Sequence, residues 1–485
     1  MATYDQALAL VQRLEDELVS RRPAIEKASR YYRGHQPLTF ASEQFQKFHG
    51  DRYKGFADNW VQVVADAPVE RLTVNGFQPA ESTEADKDLW RVWNRNHLDA
   101  DSQLGFLGAV NSGRSFALVW GNPDDPDTPA VTFEDASQCV IAYVPGSRYL
   151  RRAALKRWDD GDTAFATLYL PDEVWKFERP TLGASTKSAQ ERAVDEELNR
   201  WAPRNTGDEP NPQPNPMGVV PMVELPNRPM LSEEPVSDVT GVIAMQDAVN
   251  LLWAQLFTAA DYASFPQRIV LGAEVPEVPI LDDKGAIVGS RPVDMERFAV
   301  DRVMFFTGDN VKVTEWTAAN LEAYTSVMEV GVGHIAAQTR TPQHYLVGKM
   351  ANLSGDALLA AETGLVKRVE EKQTWFGQAI RELFRLITLA RGETAKADNV
   401  SAGRVIWADA ESRSDAQMAD ALLKLRDIGF PFEWLALRYG LTPIEVADLM
   451  TMKEREADLD PIAAATALMA HAPGDSASEE SQGAA

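Results

Sequence analysis

Two stretches of helical periodicity, 239–262 and 318–338, flank a compact insert that reads as β-structure. The first carries apolar residues at Val242, Met245, Val249, Leu252, Trp253, Leu256 and Phe257. At 1.5 Å per residue it is a rod of roughly 36 Å. The second places Leu321, Tyr324, Met328 and Ile335 on one face. Between them, strands are expected near 268–271, 303–306 and 311–316, with a turn at Gly308-Asp309-Asn310. Two helices of near-equal length joined by a small insert make a hairpin. Their apolar faces are wider than the insert can cover, so neighbouring chains are expected against them, through Leu252, Phe257, Tyr324 and Met328. A closed ring covers such faces and leaves no exposed end. Gly331 and Gly333, inside the second helix, each cost about 1 kcal/mol relative to Ala and mark a bend or a close helix contact.

Upstream, 4–30 reads as an amphipathic helix through Leu8, Val11, Leu14 and Leu18, ending near Gly34. Further helices are expected over 56–71, through Leu89, Trp90, Trp93 and Leu98, and over 104–110. From Ser115 the period becomes two, which predicts antiparallel strands at 115–120, 130–134, 138–144, 150–158, 164–170 and 173–178. Asp159-Asp160-Gly161-Asp162 is a hairpin signal. Residues 180–217 lose periodicity and gain Pro, Asn, Ser and Glu, as in a long, flexible exposed loop. Pro342, Gly348 and Gly355 interrupt 339–355; a long helix follows over 356–391, then one strand at Arg404–Trp407 and a helical end over 414–455. The acidic, small-residue tail 472–485 is expected to be disordered. The pattern is α+β, in several structural regions.

Acidic residues outnumber basic ones by 72 to 48, a formal net charge of -24, so tight wrapping of nucleic acid is excluded. Cys139 is the single cysteine, which removes intramolecular disulfides and thiolate zinc sites and reads as a buried, inert thiol. The first residues carry no secretory pattern, and no apolar run is long enough for a membrane span. Gly348-Lys349 is followed by Met350, with Gln343 where a phosphate-binding loop needs its first glycine. The histidines His35, His49, His97, His334, His344 and His471 are scattered. Asp124, Asp125 and Asp127 lie in a proline-rich turn, where solvation explains them better than a cation does. No metal, cofactor or catalytic centre is expected; the chain reads as a structural protein and not an enzyme.

Four ordered segments carry a resemblance. They are Tyr31-Tyr32-Arg33-Gly34; 59–66 running on to 70–77; Asn352-Leu353-Ser354-Gly355-Asp356-Ala357-Leu358 continuing through Ala361-Glu362 to Lys367-Arg368; and 405–410 followed by 419–425. In that order they resemble the portal proteins of tailed bacteriophages, especially those infecting actinobacteria, over about 30–455. The resemblance implies a wing at 1–235, completed by the long helix and strand at 356–411. It implies stem helices at 239–262 and 318–338, a clip at 263–317, a tunnel loop at 339–355 and a crown at 412–471. It also implies a dodecameric ring at the capsid vertex of the virion, assembled in the host cytoplasm, through which double-stranded DNA is packaged and ejected. The implied partners are the terminase large subunit, a head–tail adaptor, and the major capsid and scaffold proteins. Within the tunnel loop, Arg340, Gln343, His344, Tyr345 and Lys349 are the candidates for facing DNA. The competing readings are a DNA-translocating ATPase or nuclease, which the missing phosphate loop opposes, and another acidic head or tail protein such as a minor capsid protein or tail hub.

Overall fold

The computed structural model describes residues 2–49, 51–82, 84–181, 200–264, 268–271, 277–281, 285–292, 303–306, 312–315, 320–347, 355–411 and 415–459. The first helix, α1 (Tyr4–Tyr32), starts at a capping box in which Thr3 and Gln6 each accept the other's backbone N–H. Its apolar stripe enters three cores in turn. Leu8, Val11, Leu14 and Leu18 pack with strand residues, Ile25 packs beside Cys139, and Ala28 and Tyr31 reach the main core.

Next come α2 (Glu43–His49), α3 (Trp60–Val69), β1 (Val74–Gln78), α4 (Lys87–Arg95) and α5 (Leu98–Ser112). Leu98 opens α5 and does not close α4, because His97 takes a left-handed φ of 55° between the two helices. The period-two region gives β2 (Arg114–Trp120), β3 (Ala130–Glu134), β4 (Cys139–Tyr143), β5 (Arg151–Asp160), β6 (Thr163–Tyr169) and β7 (Glu173–Pro180). Gly161, at φ 58°, sits in the two-residue loop that sets Asp160 opposite Thr163.

The described part of 180–217 departs from the exposed loop expected there. Here β8 (Ala202–Pro203) and β9 (Gln213–Pro214) both bond to β7. Trp201 is buried under the Arg179 guanidinium, and Asn215 and Met217 are buried too. Single anchoring residues in a Pro- and Asn-rich stretch leave no periodic signal. Residues 182–199 lie outside the described set. A second sheet has the order β10-β2-β3, where β10 (Met222–Pro226) was not foreseen.

Helix α6 (Ile243–Ser264) precedes β11 (Arg268–Leu271), β12 (Glu277–Leu281), β13 (Ile287–Pro292), β14 (Val303–Phe306) and β15 (Lys312–Glu315), after which comes α7 (Leu321–Thr339). Strand β11 is central, parallel to β14 and antiparallel to β15. It is therefore not a sheet edge. β12 and β13 form an additional antiparallel hairpin. The chain continues through α8 (Gln343–Val347), α9 (Gly355–Ala390), α10 (Thr394–Ser401) and β16 (Arg404–Trp407), which pairs antiparallel with β1. The helical end is α11 (Asp415–Asp427), α12 (Phe432–Tyr439) and α13 (Pro443–Leu459), divided at Gly429 and Gly440, both with positive φ.

The main core forms around α9. Leu365, Val369, Phe376, Ile380, Leu383, Phe384 and Ile387 recur at helical spacing and are fully buried. Phe376 stacks on Phe106 of α5 at 5.4 Å, and Phe384 lies 4.6 Å from Phe77 of β1. Each such side chain contributes roughly 1.5–3 kcal/mol on burial.

Candidate functional site

Both ends of the α6–α7 pair are held by one buried arginine. Asp238 precedes the short 3-10 turn that opens α6, and Thr339 closes α7. Arg368 of α9 donates through Nη2 to Asp238 Oδ2 (2.6 Å) and to the Val64 carbonyl of α3 (2.9 Å). Its Nη1 donates to the Thr339 carbonyl at 2.9 Å. Lys372, one turn on, reaches Asp238 Oδ2 (2.6 Å) and Asn227 Oδ1 (2.5 Å). Burial works against the Asp238 charge, yet Lys372 and Arg368 hold its carboxyl well below the usual carboxylate range. Burial pushes the Lys372 ammonium down to about 8 against the pull of Asp238.

The first turns of α6 are keyed to the N-terminal region by further polar contacts. Tyr31 donates to Asp247 at 2.8 Å; burial and this carboxylate push its hydroxyl up to about 12. The Asp58 carboxylate accepts from the indoles of Trp60 (3.0 Å) and Trp253 (2.7 Å), while Asn250 bonds Gln36 at 2.6 Å. Buried polar side chains that satisfy one another fix a single geometry. A polar residue inside an apolar helix face carries no periodic signature, so this joint is not legible in the sequence.

The segment after α7 is tethered from the other side. Arg71 donates to the Tyr345 hydroxyl (2.7 Å), to Glu362 (3.0 Å) and to the Ala410 carbonyl (3.1 Å). His344 Nε2 lies 3.6 Å from Glu362. Of the five candidate DNA-facing residues, His344 and Tyr345 thus turn towards Arg71 and Glu362. Arg340, left-handed at φ 53°, and Gln343 are exposed. Lys349 lies outside the described residues.

The four candidate interface residues on the paired helices separate as well. Phe257 packs within its own chain on Phe56 (5.4 Å), Trp253 (5.4 Å) and Tyr53 (6.3 Å). Met328 is only 5% exposed. Met328, expected on an open face, is buried within its own chain, whereas Phe257 keeps part of its ring exposed beside the Tyr53–Phe56 segment. Leu252 and Tyr324 are half-buried. The open apolar residues of α7 are Val327 and Val330, at 55% and 58% exposure, off the stripe that periodicity traced. Gly331 is a close contact: a Cβ there would stand 3.3 Å from Val249 of α6.

Residues 11–431 match the profile of the phage portal protein family, SPP1 Gp6-like, which spans most of the chain. The chain belongs to this family. The portal proteins of Mycobacterium phages D29 and L5 are each 27% identical to it over 412 residues, covering 82% of this chain and 78% of theirs. Two solved structures are similar at 12% identity. The neck of an empty gene transfer agent particle has a TM-score of 0.39, covering 79% of this chain and 89% of that one. The virion of a native gene transfer agent particle has a TM-score of 0.35, covering 86% and 94%.

In this portal protein, β12 and β13 expose Val278, Ile280, Leu281, Ile287 and Val288. Asp125 pairs with Arg95 at 2.9 Å, and no group of three or more metal-ligating side chains occurs among the described residues. No helix among them is long and apolar enough to cross a membrane.

Proposed function

We propose that the chain forms a closed, twelve-membered ring at the capsid vertex, and that double-stranded DNA enters and leaves the head through its centre. The observation that carries this reading is the α6–α7 pair. Its base is locked to the main body through Arg368, while Val327 and Val330 remain open for a neighbour. An acidic channel wall suits transport, because basic walls would bind phosphate and hold the DNA. Negative-stain microscopy of the purified protein tests it. Rings with a hole wide enough for duplex DNA are expected; a persistent monomer or an open filament would refute the reading.

The insert between α6 and α7 is the proposed docking end for the terminase large subunit and later for the head–tail adaptor. The edge strands β14 and β15 and the apolar β12–β13 hairpin support this role. Deleting 275–300 should leave rings that bind neither partner. The major capsid and scaffold proteins are proposed to meet the wing. Arg340 and Gln343 are proposed to touch DNA from the exposed side of the tunnel segment, and Lys349 is proposed as a further DNA contact. Arg340→Glu should assemble normally yet package or retain less DNA; particles with a normal genome content would remove that contact.

A further inference from the structure

A cavity of about 960 Å³ opens between α1, the β4–β5 turn, the loop ahead of α6, and α9. Seven arginines and five glutamates line it, in a chain whose net charge is -24. Two of the five glutamates are shared, while Glu17 pairs with Arg21 and Glu224 with Arg114. Glu234 pairs with both Arg21 and Arg114, and Glu382 pairs with both Arg151 (2.5 Å) and Arg385 (2.9 Å). Nε and Nη1 of Arg21 are buried with no acceptor among the described residues. Donors therefore outnumber acceptors, and buried donors without acceptors are costly.

The rim is apolar. Leu231 is 91% exposed, Tyr149 76% and Leu150 63%. Arg148 donates to the Met230 carbonyl, which ties the β4–β5 turn to the loop ahead of α6 and makes one continuous lip. Exposed apolar side chains gathered at one place mark an interaction surface.

We propose that this cavity receives an acidic face of the neighbouring copy of the chain, with Tyr149, Leu150 and Leu231 covered at the contact. Charge decides the geometry. Two such cavities facing each other would oppose arginine to arginine, so the contact is between unlike faces. The excess acidity of the remaining surface supplies the complement. Contacts between unlike faces generate rings when the rotation closes, as the proposed function requires. The inference rests on the ring reading and adds the surface that builds it.

The test is sedimentation velocity on the full chain, wild type against Leu150→Ser/Leu231→Ser, over a range of protein concentration and salt. Both leucines are exposed, so the variant monomer should melt with the wild type. Its half-assembly concentration should rise by about tenfold or more, as for residues at the centre of an interface. Raising salt should weaken wild-type assembly, because screening reduces the arginine–carboxylate attraction. Variant rings that form at wild-type concentrations would overturn the contact, and salt-insensitive assembly would overturn its charge pairing. A wild-type chain that never assembles would instead remove the ring itself.

Discussion

Arg368 Nη2 stands 2.6 Å from Asp238 Oδ2, and the same guanidinium reaches the Thr339 carbonyl at 2.9 Å. One side chain on α9 thus holds the entrance of α6 and the exit of α7 together. The ion pair thus ties the base of the helix pair to α9 and the main core.

Arg368→Met should cost about 3–5 kcal/mol, because it removes a buried charge partner and leaves the Thr339 and Val64 carbonyls without their donor. Chemical denaturation of the monomer measures this. A loss within experimental error would show that Lys372 alone sustains the joint.

The depressed pKa of Asp238 gives acid sensitivity of a definite sign. Its stabilising contribution is complete above the unfolded value of about 3.8 and disappears as pH falls through the lower folded value. The wild-type melting temperature should therefore drop on acidification below about pH 4. Asp238→Asn should be less stable near neutrality, with a shallower acid limb in the same titration.

Arg71→Met should loosen the segment after α7. It removes the donor to Tyr345, Glu362 and Ala410 together and leaves Glu362, largely buried, facing the His344 ring. Amide hydrogen exchange across 343–347 should rise, while exchange in the buried middle of α9 stays slow.

Gly113→Ala should destabilise the turn between α5 and β2. Gly113 sits at φ 87°, where a side chain costs about 1–2 kcal/mol. The added Cβ would also stand 2.7 Å from the Pro235 carbonyl oxygen. Thermal unfolding checks the loss, and a neutral result would mean that the 235–237 segment yields freely.

Cys139 is fully buried, and burial pushes its thiol well above the usual range. A thiol-directed chromogenic reagent should label it slowly in the native protein and at once in guanidinium. Fast native labelling would place it at the surface.

The sequence by itself determined the order of elements wherever one period persisted. The long stripe of α9, the alternation through β2 to β7, and the two helices around a β insert were all legible, as was the family resemblance across 30–455. Apolar periodicity reports which side of an element is buried, and that information is local. What only the tertiary structure decided was which surface each side meets. Met328 looked available to a neighbouring chain but is buried within its own, and Phe257 packs on Phe56 and Trp253, while Val327 and Val330 stay open. The bonds of Arg368 to Asp238 and Val64 span separations of 130 and 304 residues, beyond the reach of any window of sequence. A buried arginine, a shared glutamate or a tryptophan anchored in a proline-rich stretch has its role set by partners brought together through chain reversal. Residue type announces that such a group needs a partner; only the folded chain supplies the partner's identity and distance.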